Sequence, residues 1–183
     1  AGVAVAKASA DTVKRVAQEL GGKSPNIILP DADLAAAVRH GVLGCLRNSG
    51  QSCNAPTRML VPRALQAQVI EIARKVVSEV CFDDSNPLTA LGPVANHAQF
   101  ERVQTLIDEA INQGSRLIAG GRGRPAGYEQ GLYVQPTIFA DVEPGMLIAQ
   151  EEVFGPVLAI MPYDSEAHAI DMANDTVYGL SGY

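Results

Sequence analysis

Three short apolar runs constrain the fold of this chain more than any other feature of its sequence. They are PNIILP at 25–30, TRMLVP at 57–62 and VLAIMPYD at 157–164. Each run is short for a helix and almost continuously apolar, which predicts strands that are buried on both faces of a sheet. Segments with apolar residues at helical spacing separate the runs. The sequence therefore predicts an α/β fold with an open, mostly parallel sheet flanked by helices.

Further helices and strands are predicted between these runs. Asp33 is a natural N-cap for a helix that continues to about Leu46, because the alanines that follow favour helix. Apolar spacing predicts further helices over 1–18, 64–80, 96–113 and 165–175, and further strands at 116–121 and 133–142. A competing strand pattern covers 13–20. Pro136 marks an edge or an interruption in the strand that contains it.

The composition excludes several classes of function. The 183 residues include 14 basic and 20 acidic side chains, for a formal charge of −6, and no basic stripe that could neutralise phosphates. We therefore expect neither a nucleic-acid partner nor a membrane surface. No apolar run is long enough to span a bilayer. Three widely spaced cysteines form neither a disulfide framework nor a zinc-type cluster, which favours a reducing compartment and predicts no metal site.

Cys53 lies in the polar stretch RNSGQSCNAPTR at 47–58, where a core-packing cysteine is not expected. The stretch predicts a turn with unpaired backbone N–H groups, and Gly50 permits close backbone approach. Such donors stabilise a thiolate, the reactive form of cysteine, so Cys53 is a candidate nucleophile. An incidental cysteine in a polar turn is the alternative. Cys45 and Cys81 have apolar, helical surroundings and are predicted to be packing residues.

Two further stretches contain candidate carboxylates. In ELGGKSPN at 19–26, Glu19 precedes two glycines and a strand, so it could point into a cleft as a general base or be a solvated turn residue. Lys23 in the same stretch is interpreted as a structural or surface cation. In QEEVFGPV at 150–157, a carboxylate could accept hydrogen bonds from sugar hydroxyls while Phe154 packs on a flat ring. A plain turn into a strand would use the same residues.

Together these stretches resemble the aldehyde dehydrogenase superfamily. ELGGKSP, GQSCNAPTR and EEVFGPV occur in the order that the family has. LGPVANHAQFERV at 91–103 and NDTVYGLSGY at 174–183 match the same family, so the resemblance extends over the whole chain. It implies the fold of the family's catalytic domain, which has three αβα layers around a mostly parallel sheet.

The resemblance implies a role for each motif. Cys53 would add to an aldehyde to form a thiohemiacetal, which loses hydride to a nicotinamide cofactor and becomes a thioester. Glu19 would activate the water that hydrolyses the thioester, and the backbone N–H of Cys53 would form half of the oxyanion hole. The other half, an asparagine side chain, lies upstream of Ala1 in this family. The cofactor is NAD or NADP, and the implied cofactor-binding residues are Glu152 (on the nicotinamide ribose), Phe154, Leu20 and Gln99.

Because family members are much longer, we expect this chain to be a fragment. Residues 1–21 are predicted to be the end of the NAD(P)-binding domain, and 22–183 the catalytic domain, incomplete at its C-terminus. There is no GxGxxG dinucleotide fingerprint, since GGRGRPAG at 120–127 follows a strand but enters a loop. The isolated fragment is therefore expected to be inactive. The full-length protein is expected to be a cytoplasmic homo-oligomer that acts on a small-molecule aldehyde.

Three alternatives stay open. A CoA-acylating aldehyde dehydrogenase would use CoA in place of water, although Glu19 favours hydrolysis. A non-catalytic folded fragment would have a competent thiol and no means of binding cofactor. A cysteine hydrolase or acyltransferase normally needs a histidine partner, and neither His40 nor His97 lies in a motif.

Arg47, six residues before Cys53, stands where many relatives have an apolar or aromatic residue, so it could favour an acidic aldehyde or face solvent.

Overall fold

The apolar runs form neighbouring strands of one sheet in the computed structural model, which describes residues 1–82 and 89–183. The strands within these residues are β1 (Pro25–Ile27), β2 (Arg58–Pro62), β3 (Arg116–Ala119), β4 (Thr137–Ala140) and β5 (Val157–Tyr163). Their order in the sheet is β1-β2-β5-β4-β3. Neighbouring strands are parallel except for β3 and β4, which are antiparallel. The predicted open, mostly parallel sheet is confirmed.

The α-helices of the described residues are α1 (Gly2–Ala10), α2 (Leu34–Leu46), α3 (Gln66–Ser78), α4 (His97–Asn112), α5 (Leu147–Gln150) and α6 (Glu166–Asn174). Short 3₁₀ turns at Arg47–Gly50 and Arg63–Leu65 follow α2 and β2. Asp33 caps α2 as predicted, since its carboxylate accepts the N–H of Ala36 at 3.1 Å. Asn96 and Ser165 cap α4 and α6 in the same way. Local sequence therefore determines where these helices begin.

Helices cover both faces of the sheet, which gives the three αβα layers. Side chains along β5 alternate between the faces. Leu158 and Ile160 belong to the core that includes α2 and α3, whereas Ala159, Met161 and Tyr163 belong to the core that includes α4, α5 and α6. Every residue of β5 is buried, as expected for a strand covered on both faces. Burial on both faces explains why the strand runs are continuously apolar.

The N-terminal segment differs from its prediction. The helix predicted over 1–18 ends at Ala10, and no strand covers 13–20. Val13 has a left-handed backbone, with φ of 50°, which interrupts both a helix and a strand. In addition, α1 buries none of its residues. Because a short helix that buries no side chains is only marginally stable, the helix does not continue beyond Ala10.

Two other predicted elements are shorter than expected. The strand predicted at 133–142 begins at Thr137, because Pro136 has no N–H to donate to a ladder. Pro136 therefore marks an interruption, and not an edge, since β4 has neighbours on both sides. The second shorter element is the helix predicted over 64–80, since α3 ends at Ser78. Cys81 therefore lies outside a helix and forms an isolated β-bridge with Ala90. The helical surroundings predicted for Cys81 are wrong.

Candidate active site

Each of the three stretches with candidate chemistry leads into the amino end of a parallel strand. The Glu19 segment (residues 19–24) precedes β1, the Cys53 turn (47–57) precedes β2, and the Glu152 segment (150–156) precedes β5. These strands are neighbours in the order β1-β2-β5 and run in the same direction. Their amino ends therefore lie at one edge of the sheet, and the three stretches meet there.

Gly22 joins the Glu19 segment to both of the other stretches. Its N–H donates a hydrogen bond to Oε1 of Glu152 at 3.1 Å. A Cβ atom at Gly22 would lie 2.2 Å from the carbonyl oxygen of Cys53. Only glycine permits two backbones to approach so closely. One glycine thus contacts both the Glu152 carboxylate and the backbone of Cys53.

Gly50 packs the Cys53 turn against the Glu152 segment. Its φ is +70°, in the left-handed region, and a Cβ atom there would lie 2.0 Å from the carbonyl oxygen of Gly155. Asn48 and Ser49 also have left-handed backbones, with φ of 53° and 56°. A left-handed backbone at a residue other than glycine costs on the order of 1–3 kcal/mol, so it persists only where contacts with the surrounding structure fix it. The Ser49 hydroxyl supplies such a contact, since it donates to the carbonyl oxygen of Gly92 at 2.7 Å.

Cys53 lies in a closed turn, and the Glu19 side chain reaches its thiol. The Ala55 N–H donates to the Ser52 carbonyl at 3.1 Å, which closes the predicted turn. The hydrogen bond between the thiol and the Glu19 carboxylate raises the pKa of Cys53, while the backbone N–H groups of Asn54 and Cys53 lower it. The predicted donors are present, but the carboxylate outweighs them. The expectation that this turn favours the thiolate is therefore corrected: the pKa of Cys53 lies above its usual value.

Two side chains of α4 hold the Glu152 segment. The Gln99 amide Nε2 donates to the carbonyl oxygens of Val153 at 2.8 Å and Phe154 at 2.9 Å. Arg102 donates to the carbonyl oxygen of Glu152 at 3.0 Å. Phe154 has a left-handed backbone, with φ of 54°, so the Gln99 contact fixes a strained residue. Gln99 therefore uses its amide N–H groups to hold this segment.

Leu20 and Arg47 are both exposed. Leu20 is 50% exposed and approaches Gly2 at the start of α1. Arg47 lines a groove of about 510 Å³ that is formed largely by α2 and the residues that follow α3. Neither Cys53 nor Glu19 lines that groove. The structure thus brings Cys53 and Glu19 together and places Arg47 in a separate groove.

Two basic side chains are buried at the Glu19 segment, and sequence reasoning missed one of them, Arg58. Lys23 and Arg58 are 2% and 1% exposed. Burial lowers the pKa of Lys23 to about 7, with Cys45 acting against this shift and Arg58 adding to it. Of the two interpretations, Lys23 is therefore the structural residue and not a surface cation, and its charge in the folded chain depends on pH. The sequence carries a signal for Arg58, because it is a charged residue inside the apolar run TRMLVP, and a charge is buried only where it finds partners.

The chain as a whole matches one family of enzymes. The model of the aldehyde dehydrogenase family aligns with residues 1–183, which is the full length of the chain. The chain belongs to the aldehyde dehydrogenase family. A dehydrogenase of 3-succinoylsemialdehyde-pyridine from Pseudomonas sp. is 54% identical over 184 residues, which cover 100% of this chain and 39% of the relative. The chain thus spans about two fifths of the length of such curated relatives.

Solved aldehyde dehydrogenases have the same fold as the described residues. A mutant of aldehyde dehydrogenase C from Pseudomonas syringae, in complex with NAD⁺ and octanal, superposes with a TM-score of 0.94 at 54% identity. The aldehyde dehydrogenase of Mycobacterium tuberculosis in complex with NAD⁺ gives a TM-score of 0.93 at 46% identity. Each comparison covers 99% of this chain and 38% of the solved chain. The αβα architecture is therefore that of this family.

The described residues contain neither a cluster suited to a metal ion nor a helix that could cross a membrane. Residues 1–82 and 89–183 contain no group of three or more His, Cys, Asp or Glu side chains that could hold a metal ion. In the same part of the chain, every helix is too short or too polar to cross a membrane.

We expect Cys53 to be the first cysteine that an alkylating reagent modifies. Cys45 is fully buried, and burial raises its pKa to about 12, whereas Cys53 is partly exposed in a turn. Because Glu19 raises the pKa of Cys53, its alkylation rate should increase as the pH rises above neutral. Brief, substoichiometric treatment with iodoacetamide followed by mass-spectrometric mapping tests this. Denatured protein, in which all cysteines react, is the control. Preferential labelling of Cys45 or Cys81 would contradict the prediction.

Proposed function

We propose that this chain carries the catalytic cysteine and the general base of an NAD(P)-dependent aldehyde dehydrogenase, which oxidises an aldehyde to a carboxylic acid. One observation supports the proposal above the others. Gly22 contacts both the backbone of Cys53 and the carboxylate of Glu152, so the candidate nucleophile, base and cofactor-binding residue meet at one edge of the sheet. Family membership adds support, since two of the solved relatives are complexes with NAD⁺.

Cys53 and Glu19 would carry the chemistry in two stages. Cys53 loses its proton to solvent and attacks the aldehyde carbon as a thiolate. The resulting thiohemiacetal loses hydride from its carbon, so a thioester remains on Cys53. Glu19 then takes a proton from water as the water oxygen attacks the thioester carbon. The C–S bond breaks, and the carboxylic acid leaves. Throughout, the backbone N–H of Cys53 would donate to the oxygen on which charge develops.

Glu152 and Phe154 fit the nicotinamide end of a dinucleotide. Oε1 of Glu152 accepts the Gly22 N–H, so Oε2 stays available to accept from ribose hydroxyls. Glu152 and Phe154 are both partly exposed, and the aromatic ring could pack on a flat ring. Leu20 and the amide oxygen of Gln99 would add contacts to the same ligand. When bound, NAD or NADP supplies the hydride acceptor.

We place this chain in a longer protein, in which residues 1–21 would belong to the NAD(P)-binding domain and 22–183 to the catalytic domain. The matched relatives are longer, since the chain covers 38–39% of each. The α1 helix buries none of its residues, and Val3 and Val5 are 71% and 50% exposed, as expected of a helix that packs against further protein. The resemblance and the reducing environment that the cysteines favour support a cytoplasmic homo-oligomer.

The proposed function is tested by assaying the full-length protein with a panel of aldehydes and with NAD or NADP. We expect reduced cofactor to accumulate, and we expect Cys53→Ala to abolish this, because no other residue supplies the thioester. Cys81→Ala is the matched control and should keep the activity. The 183-residue chain alone is expected to show no turnover, since contacts at the nicotinamide end do not offset the cost of immobilising a large ligand.

Three results would count against this assignment. Full activity in Cys53→Ala would remove Cys53 from the mechanism. Sustained turnover by the 183-residue chain would show that it holds a complete cofactor site. A product that forms only when CoA is present, and that carries CoA, would move the protein to the CoA-acylating branch. The contact of Glu19 with the Cys53 thiol favours the hydrolytic branch, because it places a base for water at the sulfur that would carry the thioester.

A further inference from the structure

Arg58 is a buried cation, and each of its three side-chain nitrogens donates a hydrogen bond to a backbone carbonyl group. It is 1% exposed. Its Nε donates to the carbonyl oxygen of Lys23 at 2.9 Å, Nη1 to that of Met172 at 2.7 Å and Nη2 to that of Ala173 at 2.7 Å. Among the ion pairs of the described residues, none includes Arg58. The guanidinium therefore bridges two backbone segments.

One of those segments explains why a cation is tolerated in the core. Met172 and Ala173 lie in the last turn of α6, where the negative end of the helix dipole lies. Burial lowers the pKa of Arg58, and the carboxylate of Asp175, which directly follows α6, acts against that shift. The third carbonyl group, that of Lys23, belongs to the Glu19 segment. Charge compensation by α6 does not require the Lys23 contact, so that contact needs its own explanation.

The contact with Lys23 anchors a segment that has no regular structure. No helix or strand covers the Glu19 segment. Four hydrogen bonds tie down the residues that follow Glu19. Gly22 donates its N–H to Glu152, Lys23 accepts from the Arg58 side chain, and Ser24 bonds to the Arg58 N–H and the Ser181 hydroxyl. A pair of glycines separates Lys23 from Leu20, and glycine backbones have wide conformational freedom. Without the ties, the Glu19 carboxylate would sample many positions relative to the thiol.

We propose that Arg58 is a positioning residue: its guanidinium ties Lys23 to the carboxyl end of α6 and so holds the Glu19 carboxylate at the Cys53 thiol. The proposal rests on the proposed function for the chemical role of that contact. The Gly22 tie depends on Glu152, a residue that would also bind cofactor. The tie through the Arg58 side chain is internal to the protein and fixes the end of the segment from which the glycine pair leads back to Glu19.

The test measures the alkylation rate of Cys53 against pH in the 183-residue protein, since the midpoint of that profile gives the pKa of the thiol. Because the Glu19 contact raises this pKa, its loss moves the midpoint to lower pH. We expect Glu19→Ala and Arg58→Met each to shift the midpoint to lower pH, and the double variant to shift it no further. Arg63→Met is the matched control. It removes an exposed ion pair with Asp164 just beyond β2 and should leave the midpoint unchanged.

Two results would overturn the proposal: an unchanged midpoint in Arg58→Met together with a lower denaturation midpoint, and additive shifts in the double variant. Arg58→Lys keeps a buried cation and carries the test if Arg58→Met does not fold. A lysine cannot reach both segments, so we expect the same shift, and a wild-type midpoint in Arg58→Lys would refute bridging. The titration needs neither aldehyde nor cofactor. A shifted midpoint in the 183-residue protein, together with no aldehyde oxidation by the full-length protein, would therefore reject the proposed function and keep the positioning role.

Discussion

Glu19→Gln in the full-length protein is expected to slow steady-state aldehyde oxidation by on the order of 10²–10⁴-fold. The Glu19 carboxylate bonds to the Cys53 thiol, so it lies where water must be activated to attack a thioester on that sulfur. Glutamine has nearly the same size but cannot take a proton from water. Formation of the acyl-enzyme should be spared, because the glutamine amide can donate a hydrogen bond to the thiolate and stabilise it.

Rapid mixing of the Glu19→Gln variant with aldehyde and cofactor distinguishes the two stages. We expect a burst of reduced cofactor equal to the concentration of Cys53, followed by a slow phase, with the acyl-enzyme visible by mass spectrometry. Glu71→Gln is the matched control, since Glu71 is exposed on α3 and pairs with Arg74. An unchanged steady-state rate under conditions where hydrolysis is limiting would remove Glu19 from the mechanism. Loss of the burst would instead assign Glu19 to deprotonation of the thiol.

The sequence contains enough information to predict that the three motifs lie close together. Each motif directly precedes one of the apolar runs, and the amino ends of parallel neighbouring strands lie at one edge of a sheet. What the runs do not reveal is which strands are neighbours. In the sheet, β5 lies between β2 and β4 although β3 and β4 come first in the chain. That order depends on the packing of β5, whose side chains are buried on both faces, and no local pattern encodes it.

The properties that escaped prediction depend on partners far away in the sequence. The turn donors at Cys53 are local and were predicted, but the direction of its pKa shift depends on Glu19, which arrives from another segment. Helical spacing continues beyond Ala10, yet α1 buries none of its residues. Likewise, lysine is usually found at the surface, but Lys23 is buried. Its carbonyl oxygen accepts a hydrogen bond from Arg58, a residue distant in the sequence. Local patterns predicted elements and motifs, and tertiary partners determined their electrostatics.

Lys23 should make the stability of the folded chain rise with pH. Burial lowers the pKa of Lys23 from 10.5 to about 7, so between these values the unfolded state holds a proton that the folded state lacks. The free energy of unfolding then increases with pH, by up to about 1.4 kcal/mol per pH unit. Below about pH 7 both states are protonated and the dependence ends. Glu152 and Glu151 raise the pKa of Lys23 and limit the effect, whereas Arg58 strengthens it.

Ionisation of Cys45 limits the pH range over which the free energy of unfolding increases. Burial raises the pKa of its thiol from 9.0 to about 12, so above pH 9 the unfolded state loses a proton that the folded state keeps. Stability from this group is complete below pH 9 and is lost as the pH rises toward 12, which opposes the contribution of Lys23. We therefore expect the free energy of unfolding to increase between about pH 7 and 9. It should then stay constant up to about pH 10.5, above which Lys23 no longer adds to its pH dependence.

Lys23→Met should remove this rise and stabilise the chain near pH 7 by roughly 1–4 kcal/mol, because an apolar side chain of similar length carries no desolvation cost. No hydrogen bond of the Lys23 side chain is lost among the described residues, where its recorded contact is through the backbone carbonyl. Urea denaturation at pH 6, 7, 8 and 9 measures the free energy of unfolding for both proteins. Lys75→Met, at an exposed position of α3, is the control and should keep the wild-type slope. Equal slopes in wild type and Lys23→Met would show that Lys23 stays protonated in the folded chain, held by the nearby carboxylates of Glu151 and Glu152.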